Sequence, residues 1–202
     1  MLSRPYPMIT RGSLFALFIL ALAIPGLSQQ TPGTPEAKAA FAEGQAALKE
    51  NDHLKAMAAF RKAIELDPDY VEAHERLYSS STQYAMAETK KASSGEPSDD
   101  ATSKAIDEAK KKLMELYADW GQKYPKSAAV QWQLGELYMY KDYDKVEQQA
   151  RKALAIDPKF TRAYQTLSLI AEVRGDEKER LAYLAKAAES APHDPAPLTH
   201  SP

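Results

Sequence analysis

The sequence predicts an all-α fold, an α-solenoid of about four helix–turn–helix repeats whose second repeat is enlarged. Residues 62–77 (KAIELDPDYVEAHERL) align with residues 152–167 (KALAIDPKFTRAYQTL), sharing Lys, Ala, Asp-Pro, Ala and Leu positions and an aromatic pair. Before Pro68, apolar residues recur every three or four positions, which is the spacing of an amphipathic helix. They are Leu54, Met57, Phe60, Ala63 and Ile64. A repeat with this periodicity is typical of a solenoid.

Composition excludes several function classes. The chain has 202 residues, 44% of them hydrophobic and 27% charged, which is the composition of an ordinary globular protein. Its formal net charge is -2, so we expect no nucleic-acid partner. Since the chain has no cysteine, it cannot form a disulfide, a thiolate zinc site, an iron–sulfur cluster, a lipid-modified Cys or a thiol nucleophile.

The N-terminal residues 1–28 have the three parts of a secretory signal peptide. Arg4 and Arg11 precede an apolar run over residues 14–24 (LFALFILALAI), which Pro-Gly then breaks. Eleven apolar residues are too few to span a bilayer, which needs about 20. We expect export to the periplasm or the medium, cleavage between Ser28 and Gln29, and no stable membrane insertion afterwards. An uncleaved N-terminal anchor is the alternative. Residues 29–36 (QQTPGTPE) are expected to form a flexible linker.

Prolines divide the rest of the chain into repeats. Pro68 and Pro158 are 90 residues apart, which is two periods of 34 plus 22 extra residues. Pro125 and Pro192 mark the ends of a middle copy and of a last copy. The residue before a proline is disfavoured in a helix, whereas proline itself can begin the next helix. The predicted units are repeats 37–70, 71–126, 127–160 and 161–194, in a solenoid over 37–195, and a tail over 196–202.

Two short motifs carry a resemblance to a known family. They are Leu134-Gly135-x-x-Tyr138 in a first helix and Ala56-x-x-x-Phe60, followed by Pro68, in a second helix. With the period of 34 residues, the chain resembles an exported bacterial protein of the tetratricopeptide repeat family. Gln131 stands where the motif of that family begins with tryptophan. The resemblance implies a right-handed superhelix whose first helices line a concave groove.

The 22 extra residues of the second repeat fall between Tyr84 and Ala105. They centre on a run of turn-forming residues, 92–100 (ASSGEPSDD), between predicted helices over 71–91 and about 101–124. The two helices are expected to protrude as a hairpin by roughly 10 Å at 1.5 Å per residue. An apolar seam on the second helix supports either internal packing or a docking finger. It consists of Ile106, Ala109, Leu113, Leu116 and Trp120.

No motif in the sequence indicates catalysis or metal binding. His74-Glu75 begins like a zinc-protease motif, but the residue four positions after His74 is Tyr78, so the second imidazole is absent. Glycines are scattered singly, and neither a nucleophile elbow nor a phosphate-binding loop is present. We therefore expect a protein that is not an enzyme, with no catalytic residues, no metal and no cofactor.

The resemblance implies a set of groove residues on the first helices. They are Phe41, Gln45, Glu72, Glu75, Arg76, Ser79, Gln83, Trp132, Gln133, Glu136, Met139, Tyr140, Arg162, Gln165, Thr166 and Leu169. Phe41 and Gln45 stand where the chaperone-tail subset of the family has a clamp for a terminal carboxylate, so that ligand class is not expected. For Trp132, packing against the long hairpin is an equal alternative to partner binding.

These residues suggest a partner of mixed character. Trp132, Met139 and Tyr140 would form an amphipathic cluster beside charged side chains, suited to an extended or helical peptide with an apolar anchor. The predicted function is a non-catalytic protein–protein interaction scaffold outside the cytoplasm. One alternative is an assembly module that forms a homo-oligomer or joins an envelope complex through its uncapped last repeat and the hairpin. Another is a helper of an enzyme, such as a redoxin, in the same compartment.

Overall fold

A computed structural model describes residues 33–93 and 97–190, and within them it contains eight α-helices and no strand. The helices pack as four hairpin pairs, each against the next in chain order, which confirms the predicted all-α solenoid. They are α1 Pro35–Lys49, α2 His53–Leu66, α3 Val71–Ala92, α4 Asp99–Lys123, α5 Ala128–Glu136, α6 Tyr143–Ile156, α7 Thr161–Arg174 and α8 Glu177–Ser190. The predicted signal peptide over 1–28, the first part of the linker and the tail over 196–202 lie outside the described residues.

None of the helices in the described part of the chain is both long enough and apolar enough to cross a bilayer.

An aspartate that caps the second helix recurs in the turns within the helix pairs. Three of the second helices begin after an aspartate whose side chain accepts a bond from the backbone N–H three residues on, at 2.9–3.1 Å: Asp52, Asp142 and Asp176. In the first and last pairs the preceding residue, Asn51 or Gly175, has a positive φ and ends the first helix. Asparagine and glycine tolerate this conformation best, so the sequence itself specifies where these two turns occur.

The turns between pairs share a backbone hydrogen bond. In each, the carbonyl before proline accepts the N–H three residues on: Asp67 from Tyr70, Tyr124 from Ser127, and Asp157 from Phe160. Tyr70 and Phe160 are buried at the entrance of the following helix. The aromatic residues matched in the sequence alignment therefore close the same turn in two repeats and anchor it in the core.

The apolar core runs through the stack in two clusters that meet at α5. One cluster joins α1 to α4 and includes Val130 and Leu137. The other joins α5 to α7 and includes Ala129 and Trp132. Different faces of α5 therefore pack into the two neighbouring clusters. This is expected when each repeat buries its apolar face against the next.

A buried polar cluster fixes the joint between the second and third repeats. His74 lies fully buried, with Nδ1 2.8 Å from the Tyr117 hydroxyl and Nε2 2.9 Å from the carbonyl oxygen of Pro68. A carbonyl can only accept, so Nε2 carries the proton and Nδ1 accepts from the hydroxyl of Tyr117. Ser127, the N-cap of α5, donates to the same carbonyl at 2.7 Å. The neutral imidazole therefore connects α3 to α4. The Pro68 carbonyl that it contacts also accepts a hydrogen bond from Ser127, which precedes α5.

The second pair is enlarged as predicted. α3 and α4 have 22 and 25 residues, whereas α1 and α2 have 15 and 14. The extra helical length corresponds to about 10–16 Å at 1.5 Å per residue. Ala109, Leu113 and Trp120 of the predicted seam are buried, and Tyr117 joins them. Internal packing therefore explains the part of α4 that lies nearest the solenoid. Lys141 in the turn after α5 forms an exposed ion pair with Asp107 of α4 at 3.0 Å.

Two helical glycines should respond in opposite ways to a methyl group. A Cβ on Gly44 of α1 would lie 2.5 Å from the ring of Phe60, which is fully buried, whereas a Cβ on Gly121 of α4 would meet nothing closer than 3.6 Å. Gly44→Ala should lower the free energy of unfolding by about 1–3 kcal/mol, because the core has no room. Gly121→Ala should raise it by up to about 1 kcal/mol, because alanine favours the helix. Urea denaturation of both variants measures this, and equal shifts would contradict the packing of α1 on α2.

Acid should weaken the joint at His74. Burial lowers the pKa of His74 from its usual 6.5 to about 4. Between these values the unfolded chain binds a proton that the folded chain does not, so stability falls as pH falls through this window. The His74 contribution amounts to about 3 kcal/mol. His74→Gln should be less stable at pH 7 but show a shallower decline towards pH 4. Parallel pH profiles of the two proteins in urea denaturation would refute the assignment.

Candidate functional site

The first helices α3, α5 and α7 share one face of the solenoid. On α7, Arg162, Gln165 and Leu169 follow a spacing of three and four residues, which places them on one side of the helix. Arg162 reaches Glu75 of α3 and forms an ion pair with it at 2.7 Å. This contact crosses from the second repeat to the fourth, so the three first helices form a common surface with charged side chains at its centre.

A chain of hydrogen bonds connects α5 to α7 beneath that surface. The indole N–H of Trp132 donates to the Thr166 hydroxyl at 3.0 Å, and this hydroxyl donates to a carboxylate oxygen of Glu136 at 2.7 Å. An indole N–H can only donate, so the hydroxyl oxygen accepts from it and the hydroxyl proton is directed to the carboxylate. The chain thereby fixes the position of the Glu136 carboxylate from within the core.

Two carboxylates in this surface are poorly solvated. Burial raises the pKa of Glu136, although the hydrogen bond from Thr166 and the charge of Arg162 oppose the rise. Burial likewise raises the pKa of Glu75, again against Arg162. The guanidinium of Arg162 is therefore a cation that acts on two desolvated carboxylates, those of Glu75 and Glu136.

Exposed aromatic and apolar side chains surround these charges. Tyr140 follows α5, is 48% exposed and adopts a left-handed backbone with φ of 68°. Tyr78 of α3 is half-buried, and burial together with the charge of Glu136 raises its pKa to about 12. Burial and the charge of Glu136 also raise the pKa of Tyr140. Both phenols are thus within electrostatic reach of the same carboxylate.

We call this surface the groove patch. Its members lie on α3, on α5 with the turn that follows it, and on α7. They are Glu75, Tyr78, Glu136, Tyr140, Arg162 and Leu169.

Phe41 is a core residue rather than a groove residue. Its ring centroid lies 5.3 Å from that of Phe60 and 5.0 Å from that of Tyr70. The side chain is consequently buried between α1, α2 and the turn that leads into α3. Gln45, one turn further along α1, is exposed.

Trp132, Gln133 and Met139 are also buried, with Trp132 only 7% exposed. The indole packs against Phe160 at the start of α7, with ring centroids 6.0 Å apart, and is held by Thr166. Packing is therefore the role of Trp132, but with the following repeat and not with the long hairpin. A partner in the groove cannot reach these side chains without unpacking the joint between the third and fourth repeats.

The remaining predicted residues lie on α3 and α7. Gln165 accepts a bond from Arg162 at 3.4 Å, and Glu72 lies near the hydroxyl of Tyr70. Ser79 donates to the backbone carbonyl of Arg76. Gln83 is exposed on α3.

Tyr78 is the member of the groove patch that the sequence analysis did not identify. The family positions on α3 include Glu75, Arg76 and Ser79 but not Tyr78. Tyr78 lies three residues after Glu75, so helical spacing already places the two on one face. That spacing was the available signal.

Within residues 33–93 and 97–190, no three His, Asp or Glu side chains come together in an arrangement that could hold a metal ion. The side chains of the groove patch are suited to ion pairing, hydrogen bonding and aromatic contact.

Comparison with known proteins identifies the repeat. Residues 37–70 match the family model of the tetratricopeptide repeat. The chain contains a tetratricopeptide repeat. The match comprises α1 and α2 and includes Ala56, Phe60 and Pro68, the second-helix motif on which the resemblance was based.

Solved structures with a similar course of the chain include tetratricopeptide repeat proteins. The crystal structure of MamA protein has 22% sequence identity and a TM-score of 0.39, over 77% of this chain and 91% of that one. TTC0263, a thermophilic TPR protein of Thermus thermophilus, has 19% identity and a TM-score of 0.42, over 78% and 93%. A MamA fragment from Desulfovibrio magneticus RS-1 has 16% identity and a TM-score of 0.38, over 78% and 96%. No curated protein matches the chain in sequence.

Proposed function

We propose that the protein is a non-catalytic scaffold that binds a peptide or helix of a partner protein in the concave groove. The observation that carries the proposal is the groove patch, which combines the exposed side chain of Tyr140 with an ion pair that links α3 to α7. Repeat solenoids use their extended concave surfaces for binding, and the tetratricopeptide repeat at 37–70 belongs to that class of fold.

The backbone at Tyr140 supports a binding role. A left-handed conformation costs a residue other than glycine roughly 1–2 kcal/mol. The turns after α1 and α7 have Asn51 and Gly175 at their left-handed positions, and these residue types adopt that conformation readily. Tyr140 is in the turn after α5, and tyrosine does not adopt that conformation readily. Backbone strain at a residue other than glycine is often found at functional sites.

Export is part of the proposal. The signal peptide predicted over residues 1–28 supports a location in the periplasm or the medium, where the scaffold would meet its partner. N-terminal sequencing of the protein recovered from its native cells tests this. An N-terminus at Gln29 is the expected result, and an intact Met1 on protein from the cytoplasm would refute it.

The groove is tested by capture from a native extract with mass spectrometry of the retained proteins. Tyr140→Ala combined with Leu169→Ala should release partners that the unchanged chain holds, because both side chains are exposed in the groove patch. Leu66→Ala is the matched control, since Leu66 is 45% exposed on α2, outside the patch. Trp132 is unsuitable for this test because its truncation would cost about 3–5 kcal/mol of stability. Retention of the same proteins by all three chains would exclude the groove as the binding surface.

A second candidate function is end-to-end assembly of copies of this chain. On α8, Leu181 and Leu184 occupy the positions that Met57 and Phe60 have on α2, counted from the capping aspartates. Phe60 is completely buried, whereas Leu184 is 40% exposed. α1 at the other end carries an exposed row of small side chains, Ala39, Ala42 and Ala46. Leucines that fit against an alanine row would extend the solenoid head to tail.

Assembly is tested by sedimentation velocity over a range of protein concentrations. The unchanged chain should form larger species as concentration rises, and Leu181→Gln with Leu184→Gln should remain monomeric. Leu54→Gln with Leu66→Gln is the matched control, because these leucines are similarly exposed on α2. A monomer at all concentrations would eliminate assembly as a function of α8.

A further inference from the structure

We propose that the groove patch binds a basic side chain, a lysine or arginine within an extended segment of the partner, between Tyr78, Tyr140 and Glu136. This inference rests on the proposed function, since it specifies the partner of the same groove. It goes further in assigning the charge of the partner and the three side chains that recognise it.

Three elements bring the side chains together. Tyr78 lies three residues after Glu75 on α3, and residues at that spacing are neighbours on a helix surface. α3 packs against α5, whose last residue is Glu136, and Tyr140 lies in the turn that follows α5. The ion pair between Glu75 and Arg162 links α3 to α7, and the charge of Glu136 acts on both phenols.

The charge of the patch favours a cation. The groove patch contains two carboxylates, those of Glu75 and Glu136, against one guanidinium group, that of Arg162. Arg162 pairs with Glu75, and the same guanidinium is the cation that acts on Glu136. A carboxylate can accept about four hydrogen bonds. The Thr166 hydroxyl supplies one of them to Glu136, so acceptor capacity remains for an incoming ammonium or guanidinium group.

The same charges disfavour an acidic partner. A carboxylate that approached Arg162 would have to displace Glu75 and would also meet the repulsion of Glu136. Like charges at close range are costly in a poorly solvated site. These charges therefore disfavour a terminal carboxylate as the ligand of this groove.

Aromatic rings complete the site. A cation over the face of a tyrosine is attracted to the ring, and the attraction is stronger where water is excluded. Tyr138, whose ring centroid lies 4.7 Å from the ammonium of Lys145, already makes such a contact within the chain, two residues before Tyr140. Tyr140 is 48% exposed and thus available to a partner, while Tyr78 is half-buried and provides an ordered wall.

The proposal is tested by selection from a phage-displayed library of random twelve-residue peptides on the purified chain. Selected peptides should be several-fold enriched in lysine or arginine over the starting library. A synthetic copy of the strongest peptide should lose roughly tenfold in affinity when its lysine is replaced by uncharged norleucine, because a hydrogen bond to a charged group is then removed. Fluorescence anisotropy measures the affinity, and an unchanged affinity would contradict the proposal.

Matched variants of the chain identify the residues. Glu136→Gln should weaken the same peptide roughly tenfold, while Glu65→Gln, an exposed carboxylate on α2, should change it less than about twofold. The substituted amide can still accept the bond from Thr166, so the fold is preserved, which circular dichroism checks. Tyr140→Phe should retain binding and Tyr140→Leu should weaken it about fivefold, because the ring rather than the hydroxyl faces the cation.

The outcomes separate this inference from the proposed function. Selected peptides that are neutral or acidic, bind equally to Glu136→Gln and still depend on Tyr140 would overturn the basic partner and leave the groove as the binding surface. Failure to select any peptide, or peptides unaffected by every groove substitution, would overturn both.

Discussion

The carbonyl oxygen of Pro68 is the point on which the stacking of the repeats depends. It ends the first helix pair, accepts the imidazole N–H of the second pair at 2.9 Å and accepts the Ser127 hydroxyl at the start of the third at 2.7 Å. The preceding Asp67 side chain also accepts the backbone N–H of Thr34, which precedes α1, at 3.0 Å. One Asp-Pro turn thus forms hydrogen bonds with residues of three repeats. A helix pair cannot bury its apolar face alone, so the relative orientation that this turn imposes determines where the groove lies.

The fold could be predicted because the residues that begin and end its helices act on nearby backbone groups. Asp-Pro before a first helix, and Asp before a second, act within three residues of their own positions, so they can be recognised in the sequence without knowledge of the tertiary structure. The apolar spacing of α2 and the excess length between Tyr84 and Ala105 are equally visible in the sequence. The joint around His74 was not predictable in this way, because Tyr117 is 43 residues from His74, which it contacts, and Ser127 is 59 residues from Pro68, to which it donates.

The groove was predicted less well because accessibility is a tertiary property. Phe41 and Trp132 occupy first-helix positions, but each is large and apolar, and neighbouring aromatic rings bury both of them. The charged residues Glu75, Glu136 and Arg162 lie on the shared face, where desolvation costs are lowered by pairing. Helical spacing places Tyr78 beside Glu75, but its proximity to Glu136 depends on α5, which begins about 50 residues further along the chain.

The buried Trp132 helps to fix the position of a side chain in the groove patch. Because the indole fixes Thr166, and Thr166 fixes Glu136, the carboxylate is positioned before any partner arrives. Ordering a side chain during association costs about 0.5–1.5 kcal/mol, and a carboxylate ordered by the core avoids that cost. The same core contact fixes α5 against α7, the helix from which Arg162 reaches Glu75 of α3. In the proposed complex the exposed Tyr140 would lie near this fixed carboxylate, and changes to Trp132 would affect binding through the position of Glu136 rather than through direct contact.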